Sequence, residues 1–389
     1  MLAHSPSLPL VIDFETARVI TTEDEGEIIL ALGQRDRVRR IRLGLPVPSL
    51  QKVIVAIDEE YPVLEYLVIM PSTEDQNSAL TLSETFQAPP LLHLMLTGFA
   101  LPIRSRLLTT AVGLVTLALS VGPASTFFQP DALLRWVSFM PQLETLLINS
   151  FPIPNRDVER QLMRTPITAQ VTLPNLRWFA CRGVSAYTEA VVCRIITPQL
   201  KKLEIGLFKQ LTFSVPRLLH FMNTAESLTF DSVEFQFSWD RVRVELYHEV
   251  ATPTTYALSI NVRCWHLDWQ VSSVAQIFTS PSQIFSTVKH LTLEHMDHSQ
   301  SSEEHNEVDR TEWRKLLRSF NNAKTLRVSD GLVKELSRSL RLDDGEPPLE
   351  LLPELQELTY SGSDNVSGAF TPFIDARKNA GRPVTLMRG

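Results

Sequence analysis

At 389 residues the chain is long enough for about two or three ordinary domains. Its hydrophobic content of 44% is too high for a disordered chain and ordinary for a folded one. The formal net charge of −7 argues against non-specific nucleic-acid binding, which needs a basic surface.

Residues 1–10 contain prolines and lack the basic start and apolar run of a secretion signal. Leu10, Val11 and Ile12 suit a short strand. The pattern over 23–32 predicts a helix, with Thr22 as its cap and acidic residues in its first turn. Residues 1–37 are therefore expected to form an N-terminal cap segment. Arg35, Arg37, Arg39, Arg40 and Arg42 follow closely. The simpler reading is a solvated edge paired with Asp36 and the acidic stretch 23–27; the other is a site for an acidic partner.

From residue 38 onward one pattern returns. Leu143, Leu146 and Ile148 spell L-x-x-L-x-L, and alternation in an extended chain turns Leu146 and Ile148 to one side. The same frame occurs at Val38/Ile41/Leu43, Leu64/Leu67/Ile69, Leu91/Leu94/Leu96, Leu114/Leu117/Leu119, Leu176/Phe179/Cys181 and Leu200/Leu203/Ile205. It continues at Ala225/Leu228/Phe230, Thr255/Leu258/Ile260 (the poorest match), Val288/Leu291/Leu293, Ala323/Leu326/Val328 and Leu355/Leu358/Tyr360. The first residues are 23 to 35 apart, near the upper end of the leucine-rich period.

These frames predict an α/β leucine-rich-repeat-like solenoid over 38–389 with about twelve repeats. Parallel strands would line the concave wall of a horseshoe, with helices on the convex side. A doubly wound sheet also alternates strands and helices, but would carry a Gly-rich ligand loop after a strand, and none is present.

Helical spacing fills the intervals. Leu50, Val53, Ile54 and Ile57 follow Ser49 as cap, and Leu133, Trp136, Val137 and Met140 follow Pro130. Val215, Leu218, Leu219 and Met222 repeat the spacing, as do Val271, Val274, Ala275 and Phe278. Trp313, Leu316, Leu317 and Phe320 form the clearest stripe, behind Asp309 and Glu312 spaced as a capping box. Residues 71–79, 297–306 and 343–349 read as loops. Phe370, Phe373 and Ile374 predict a last helix, Gly381 its stop, and residues 384–387 a closing edge strand.

The residues between the inward ones face the other way. They run from Arg40 and Arg42 through Tyr66, Val68, Met70, His93, Met95, Leu147, Trp178 and Arg182 to a polar set: Lys202, Glu204, Asp231, His290, Glu294, Arg327 and Glu357. Exposed Tyr, Met and Trp on one wall predict a site for a protein partner at Tyr66, Met70, His93, Met95, Leu147, Trp178 and Arg182. The competing reading has a long N-terminal segment or a loop covering this patch.

Nothing in the sequence invites catalysis. No GxSxG, Walker or GxGxxG motif occurs, so no cofactor is expected. Glu294, His295 and His298, near His290 and His305, make the one metal-like cluster and the alternative reading, a metal-dependent enzyme. Alternation turns His295 away from Glu294, and a coincidental polar strand end explains the cluster without a metal. Cys181, Cys193 and Cys264 show no ligand spacing and suit a reducing cytoplasmic or nuclear compartment. The apolar part of 107–129 is too short for a membrane span. The sequon at Asn365 has meaning only in a secreted chain.

The chain resembles the F-box/leucine-rich-repeat-like proteins that are expanded in mushroom-forming fungi. The resemblance rests on residues 36–41, 179–186, 268–272, 313–326, 351–358 and 381–385 and covers nearly the whole chain. It implies a substrate receptor, whose F-box docks on the adaptor of a cullin-type ubiquitin ligase while the repeats hold the target. The 37 residues before the first repeat lack the expected helical trio, so adaptor binding is expected only if an F-box lies outside this chain. The repeats are degenerate, with Phe99, Phe151, Val184, Phe208 and Val233 where asparagine is usual.

Overall fold

Two inward side chains per strand set the architecture. The structure is a computed structural model describing residues 8–18, 20–72, 80–101, 105–121, 129–150, 170–208, 215–225, 228, 230–248, 256–278, 283–296, 309–342, 347, 349–361 and 368–389. It divides into two compact units, Met1–Leu200 and Lys201–Gly389. Each is a mixed α/β layer with a mostly parallel sheet.

In the first unit the main strands are β1 (Leu10–Glu15), β2 (Val38–Leu45), β3 (Tyr66–Pro71), β4 (His93–Thr97), β5 (Thr116–Val121), β6 (Thr145–Ser150) and β7 (Trp178–Gly183). They lie in chain order and all neighbours are parallel. Ile41, Leu67, Leu94, Leu117, Leu146 and Phe179 fall in register as one buried row. Leu43, Ile69, Leu96, Leu119, Ile148 and Cys181 form the next. The helices are α1 (Thr22–Leu32), α2 (Val47–Ile54), α3 (Arg106–Thr110), α4 (Pro130–Val137) and α5 (Ser185–Val192). The N-terminal segment is thus woven in, since β1 pairs with β2 and Glu25 of α1 accepts hydrogen bonds from Ser49 and Lys52 of α2.

In the second unit the strands are β8 (Lys202–Leu207), β9 (Ser232–Phe237), β10 (Arg241–Tyr247), β11 (Leu258–Arg263), β12 (His290–His295), β13 (Thr325–Val328), β14 (Glu357–Tyr360) and β15 (Thr385–Arg388). Their spatial order is β8-β11-β10-β9-β12-β13-β14-β15. All neighbours are parallel except those of β10, which runs antiparallel to β9 and β11. The helices are α6 (Pro216–Thr224), α7 (Leu267–Phe278), α8 (Arg310–Arg318), α9 (Asp330–Leu340) and α10 (Thr371–Asn379). Phe235, Phe278, Phe285, Phe320, Phe237 and Trp313 cluster beneath the sheet, with centroid separations such as 5.5 Å for Phe235–Phe278 and 5.6 Å for Phe237–Trp313.

One local geometry precedes strand after strand. The first frame residue closes a turn by donating to the carbonyl three residues back: Leu91 to Ala88, Leu143 to Met140, Leu200 to Thr197, Ala323 to Phe320, Leu355 to Leu352. One carbonyl of the preceding strand's start then accepts two successive N–H groups. Leu92 accepts from Val115 and Thr116, Val115 from Glu144 and Thr145, and Lys289 from Lys324 and Thr325. The repeat is therefore a repeat of hydrogen bonding as well as of leucine.

Eleven frames coincide with strands. The frame at Ala225/Leu228/Phe230 does not: Leu228 and Phe230 are buried without strand structure, and the strand starts at Ser232. There Val233, Phe235 and Phe237 take the inward positions opposite Leu291, Leu293 and His295. Thr255 lies outside the described residues, while Leu258 and Ile260 sit inward as expected. Strand β10 was not foreseen.

Several caps differ by a residue or two. Thr21, not Thr22, caps α1, in a reciprocal box with Asp24. Helix α2 starts at Val47 behind Pro46, leaving Ser49 inside it, bonded to Glu25. Asp309 caps α8 through Thr311 N–H, but Glu312 pairs with Lys315 rather than closing a box. Gly381, at φ 76, follows the Ala380 cap of α10, and β15 is the closing edge strand predicted there, with Leu386 and Met387 about 40% exposed. The loops at 297–306 and most of 71–79 and 343–349 lie outside the described residues, as does the sequon at Asn365.

Leu146→Ala should cost about 2–5 kcal/mol, the usual range for a truncated core leucine, read as a lower urea midpoint with an unchanged slope. Burial pushes the Cys181 thiol up to about 12, and Cys264 is buried too, whereas Cys193 is half-buried. In the native protein Cys193 should therefore react first with a thiol reagent, and Cys193→Ser should remove that fast phase.

Candidate binding face

The face of each sheet opposite the buried rows carries the alternate side chains. In the first unit these again fall in register. One row runs Arg40, Tyr66, His93, Thr116, Thr145, Trp178. The next runs Arg42, Val68, Met95, Ala118, Leu147, Ala180. The third includes Met70 opposite Gly44, and Thr97, Ser120, Asn149 and Arg182. All seven residues expected from the sequence to bind a partner (Tyr66, Met70, His93, Met95, Leu147, Trp178 and Arg182) lie on this face. All except the exposed Arg182 are half-buried.

The first row is a chain of contacts. The Arg40 guanidinium lies 4.2 Å from the Tyr66 ring centroid, Tyr66 and His93 rings are 5.8 Å apart, and His93 Nδ1 is 3.1 Å from Thr116 Oγ1. Asp13 sits 3.9 Å from Arg40, and Glu15 pairs with Arg42 at 2.8 Å. Gly44 permits that crossing, since a Cβ there would come within 2.8 Å of Glu15 Cγ. Across β3 to β6 the positions on this face are Tyr66, Val68, Met70, His93, Met95, Thr97, Thr116, Ala118, Ser120, Thr145, Leu147 and Asn149, of which Val68 and Ala118 are buried. None is Asp, Glu, Lys or Arg. Strand β5 contributes only small side chains, making a floor between His93 and Met95 on one flank and Leu147 on the other.

The arginine-rich start is an ion-paired edge, though not with the partners expected. Arg35 pairs with Asp58 and Glu59, Arg39 with Glu65, and Arg42 with Glu15, rather than with Asp36 or the stretch 23–27.

The open face of the second unit is charged. Lys202, Glu204, His290, Glu294, Arg327 and Glu357 lie on it as expected, but Asp231 precedes β9 and its carbonyl accepts from Lys289 and His290. The positions missed were those of β9 and β10, namely Glu234, Gln236, Arg243, Glu245 and Tyr247. The Tyr247 hydroxyl lies 2.6 Å from Glu245 Oε2 and 3.1 Å from Glu234 Oε2, so one phenol proton serves two carboxylates. Gln236 donates to Glu234 at 2.5 Å, and Arg243 pairs with Glu245 at 2.5 Å. Tyr256 donates to Glu204 at 2.9 Å, beneath Lys202. Burial, and then the charge of Glu234, raise the Glu294 pKa against the pull of Arg327.

This geometry separates the metal-like cluster. Glu294 is on the open face, whereas His295 pairs with Phe237 and packs against Gly331, where a Cβ would come 3.2 Å from its own Cβ. His298 and His305 lie outside the described residues. Among the described residues no group of three or more His, Cys, Asp or Glu side chains is placed to hold a metal. Nor is any helix among them long and apolar enough to cross a membrane. Compared with known proteins, the chain matches no family model and no curated protein.

Glu294 offers a pH test. Its folded pKa lies above the ordinary 4.5, so between those two values the folded state holds more protons than the unfolded one. Stability from this group therefore falls as pH rises through that window and stays lower above it. Glu294→Gln should melt higher than the parent at neutral pH, and the difference should vanish below about pH 4.

Proposed function

We propose that the chain is a non-catalytic, leucine-rich-repeat-like solenoid that docks a protein on the open face of its first unit. The observation that carries this reading is the run of uncharged open positions over four neighbouring strands, β3 to β6. Sheet faces of this composition are ordinarily covered, and aromatic and methionine side chains dominate interface energies. The repeated turn and shared-carbonyl geometry supports the solenoid reading, because each repeat then presents its alternate residues to the same side.

Tyr66, Met70, His93, Met95, Leu147 and Trp178 would supply the apolar contacts, with Arg182 at the border. The resemblance to fungal F-box/leucine-rich-repeat proteins extends the proposal: the docked protein would be a target of ubiquitin transfer, with the adaptor bound elsewhere than on this face. By the sign of its charge the chain is not proposed to bind nucleic acid.

The test is a comparison of proteins captured by the full chain and by Trp178→Ala. A partner captured directly by the parent should lose about 2 kcal/mol or more of binding free energy to Trp178→Ala, while the thermal midpoint barely moves because an outward side chain leaves no core cavity. Leu146→Ala should do the reverse, losing stability without a direct effect on the partner. Unfolding by Trp178→Ala with a stable Leu146→Ala, or undiminished partner binding, would overturn the assignment.

A further inference from the structure

The turns that precede β9, β12, β13 and β14 surround a cavity of about 610 Å³ at one end of the second unit's sheet. Asp231, Lys289 and Lys324 line it, each the residue just before its strand, and Glu354 lines it three residues before β14. On the other side stand His248, which follows the reversed strand β10, and the buried Phe230. The volume falls within the roughly 300–1,000 Å³ of small-ligand pockets.

The ladder roots two lysine side chains next to each other here. Lys289 N–H donates to the Asp231 carbonyl at 2.6 Å and Lys324 N–H to the Lys289 carbonyl at 2.7 Å, so both lysines enter neighbouring parallel strands in step. Such strands lie about 4.8 Å apart, and like charges held opposite one another destabilise a sheet. Among the described residues neither lysine is held in an ion pair. The nearby carboxylates are engaged elsewhere: Asp231 Oδ1 accepts from the Ser232 hydroxyl at 3.0 Å, and Glu354 faces Arg382 at 3.6 Å. The wall itself is fixed. Thr287 Oγ1 donates to the Phe230 carbonyl at 2.8 Å and Asn322 Nδ2 to the Ser286 carbonyl at 2.6 Å, tying the single turn Gln283–Thr287 to the loops before β9 and β13. A cavity already shaped in this way lowers the ordering cost of binding.

We propose that this cavity binds an organic phosphate monoester, with the phosphate between Lys289 and Lys324 and the organic part toward Phe230. A phosphate monoester carries about 1.5 to 2 negative charges at neutral pH, which matches two ammonium groups where a sulfate ester or a carboxylate matches one. Lysines hold phosphate as point charges on flexible stems and need no fixed fork geometry. Bare phosphate would fill a small part of 610 Å³, and a phenyl ring in the wall suits an organic body in the rest. A cation would face both ammonium groups, with Asp231 and Glu354 already engaged. Binding an anion also relieves the repulsion between the lysines, so the free protein favours it before any further contact is made.

The experiment uses the full chain and phenyl phosphate as the probe, with phenyl sulfate and phenol as matched compounds of one charge and none. Calorimetry should show binding of phenyl phosphate, weaker by about tenfold or more for phenyl sulfate and absent for phenol. Inorganic phosphate should bind more weakly than phenyl phosphate. Lys289→Ala and Lys324→Ala should each weaken phenyl phosphate by about tenfold or more. Neither should lower the thermal midpoint of the free protein, since each removes a like-charge contact. Lys334→Ala, on α9 and outside the cavity, should bind as the parent does. No binding of phenyl phosphate by the parent, equal binding of phenol or phenyl sulfate, or inorganic phosphate bound as tightly would overturn the proposal. So would parental affinity in both cavity variants, or as large a loss in Lys334→Ala. The cavity shares no residue with the open face of the first unit, so its failure leaves that reading standing.

Discussion

Each interior strand must bury two side chains on the helical layer while its backbone completes a hydrogen-bonded ladder with both neighbours. Everything else in the fold depends on meeting these demands in one register. A slip of one residue would send the Leu146 row outward and the Trp178 row inward along the whole sheet. Before β4 to β7 and β12 to β14 one carbonyl at the neighbouring strand's start accepts two successive N–H groups, which opposes such a slip by fixing where the next strand begins. Each fully buried Leu, Ile or Phe then contributes roughly 1.5–3 kcal/mol of transfer free energy.

The same constraint explains the unusual order of β9, β10 and β11. The ladder requires β11 parallel to β8 and β9 parallel to β12. A chain segment folded back between two parallel strands meets that condition only with an odd number of strands, the middle one reversed. Strand β10 is that reversed strand, antiparallel to both neighbours. The insertion leaves the polarity of its flanks intact and adds Phe235 and Phe237 to the aromatic core.

Much of this was legible in the sequence because parallel strands buried on helices leave a strong period. The frames placed eleven strands and assigned both faces, since alternation admits no third choice. The hairpin was legible too, through a different signal. Val233, Phe235 and Phe237, then Val242, Val244 and Leu246, alternate strictly on either side of Ser238-Trp239-Asp240. A search for L-x-x-L-x-L passes over that pattern and settles on Leu228, five residues early, and the turn has none of the Asn-Gly or Asp-Gly chemistry that marks tight hairpins. Ion-pair partners were the least legible feature. Arg35 reaches Asp58 and Glu59 from a neighbouring repeat, and sequence proximity to Asp36 says nothing about that.

The candidate faces follow from the division of labour within each strand. Inner rows are constrained to Leu, Ile, Val, Phe and a few others in both units, so they carry stability and little specificity. The alternate positions are free of that constraint. Across β3 to β6 they are uncharged, whereas in the second unit Glu234 and Glu245 share one tyrosine proton and the charge of Glu234 acts on Glu294. One backbone plan thus supports two surfaces of opposite chemistry, one suited to apolar contact and one to charge. A substitution at an exposed or half-buried alternate position alters that surface without opening a cavity in the inner rows. That freedom is why function in such a fold must be sought in the residues between the leucines.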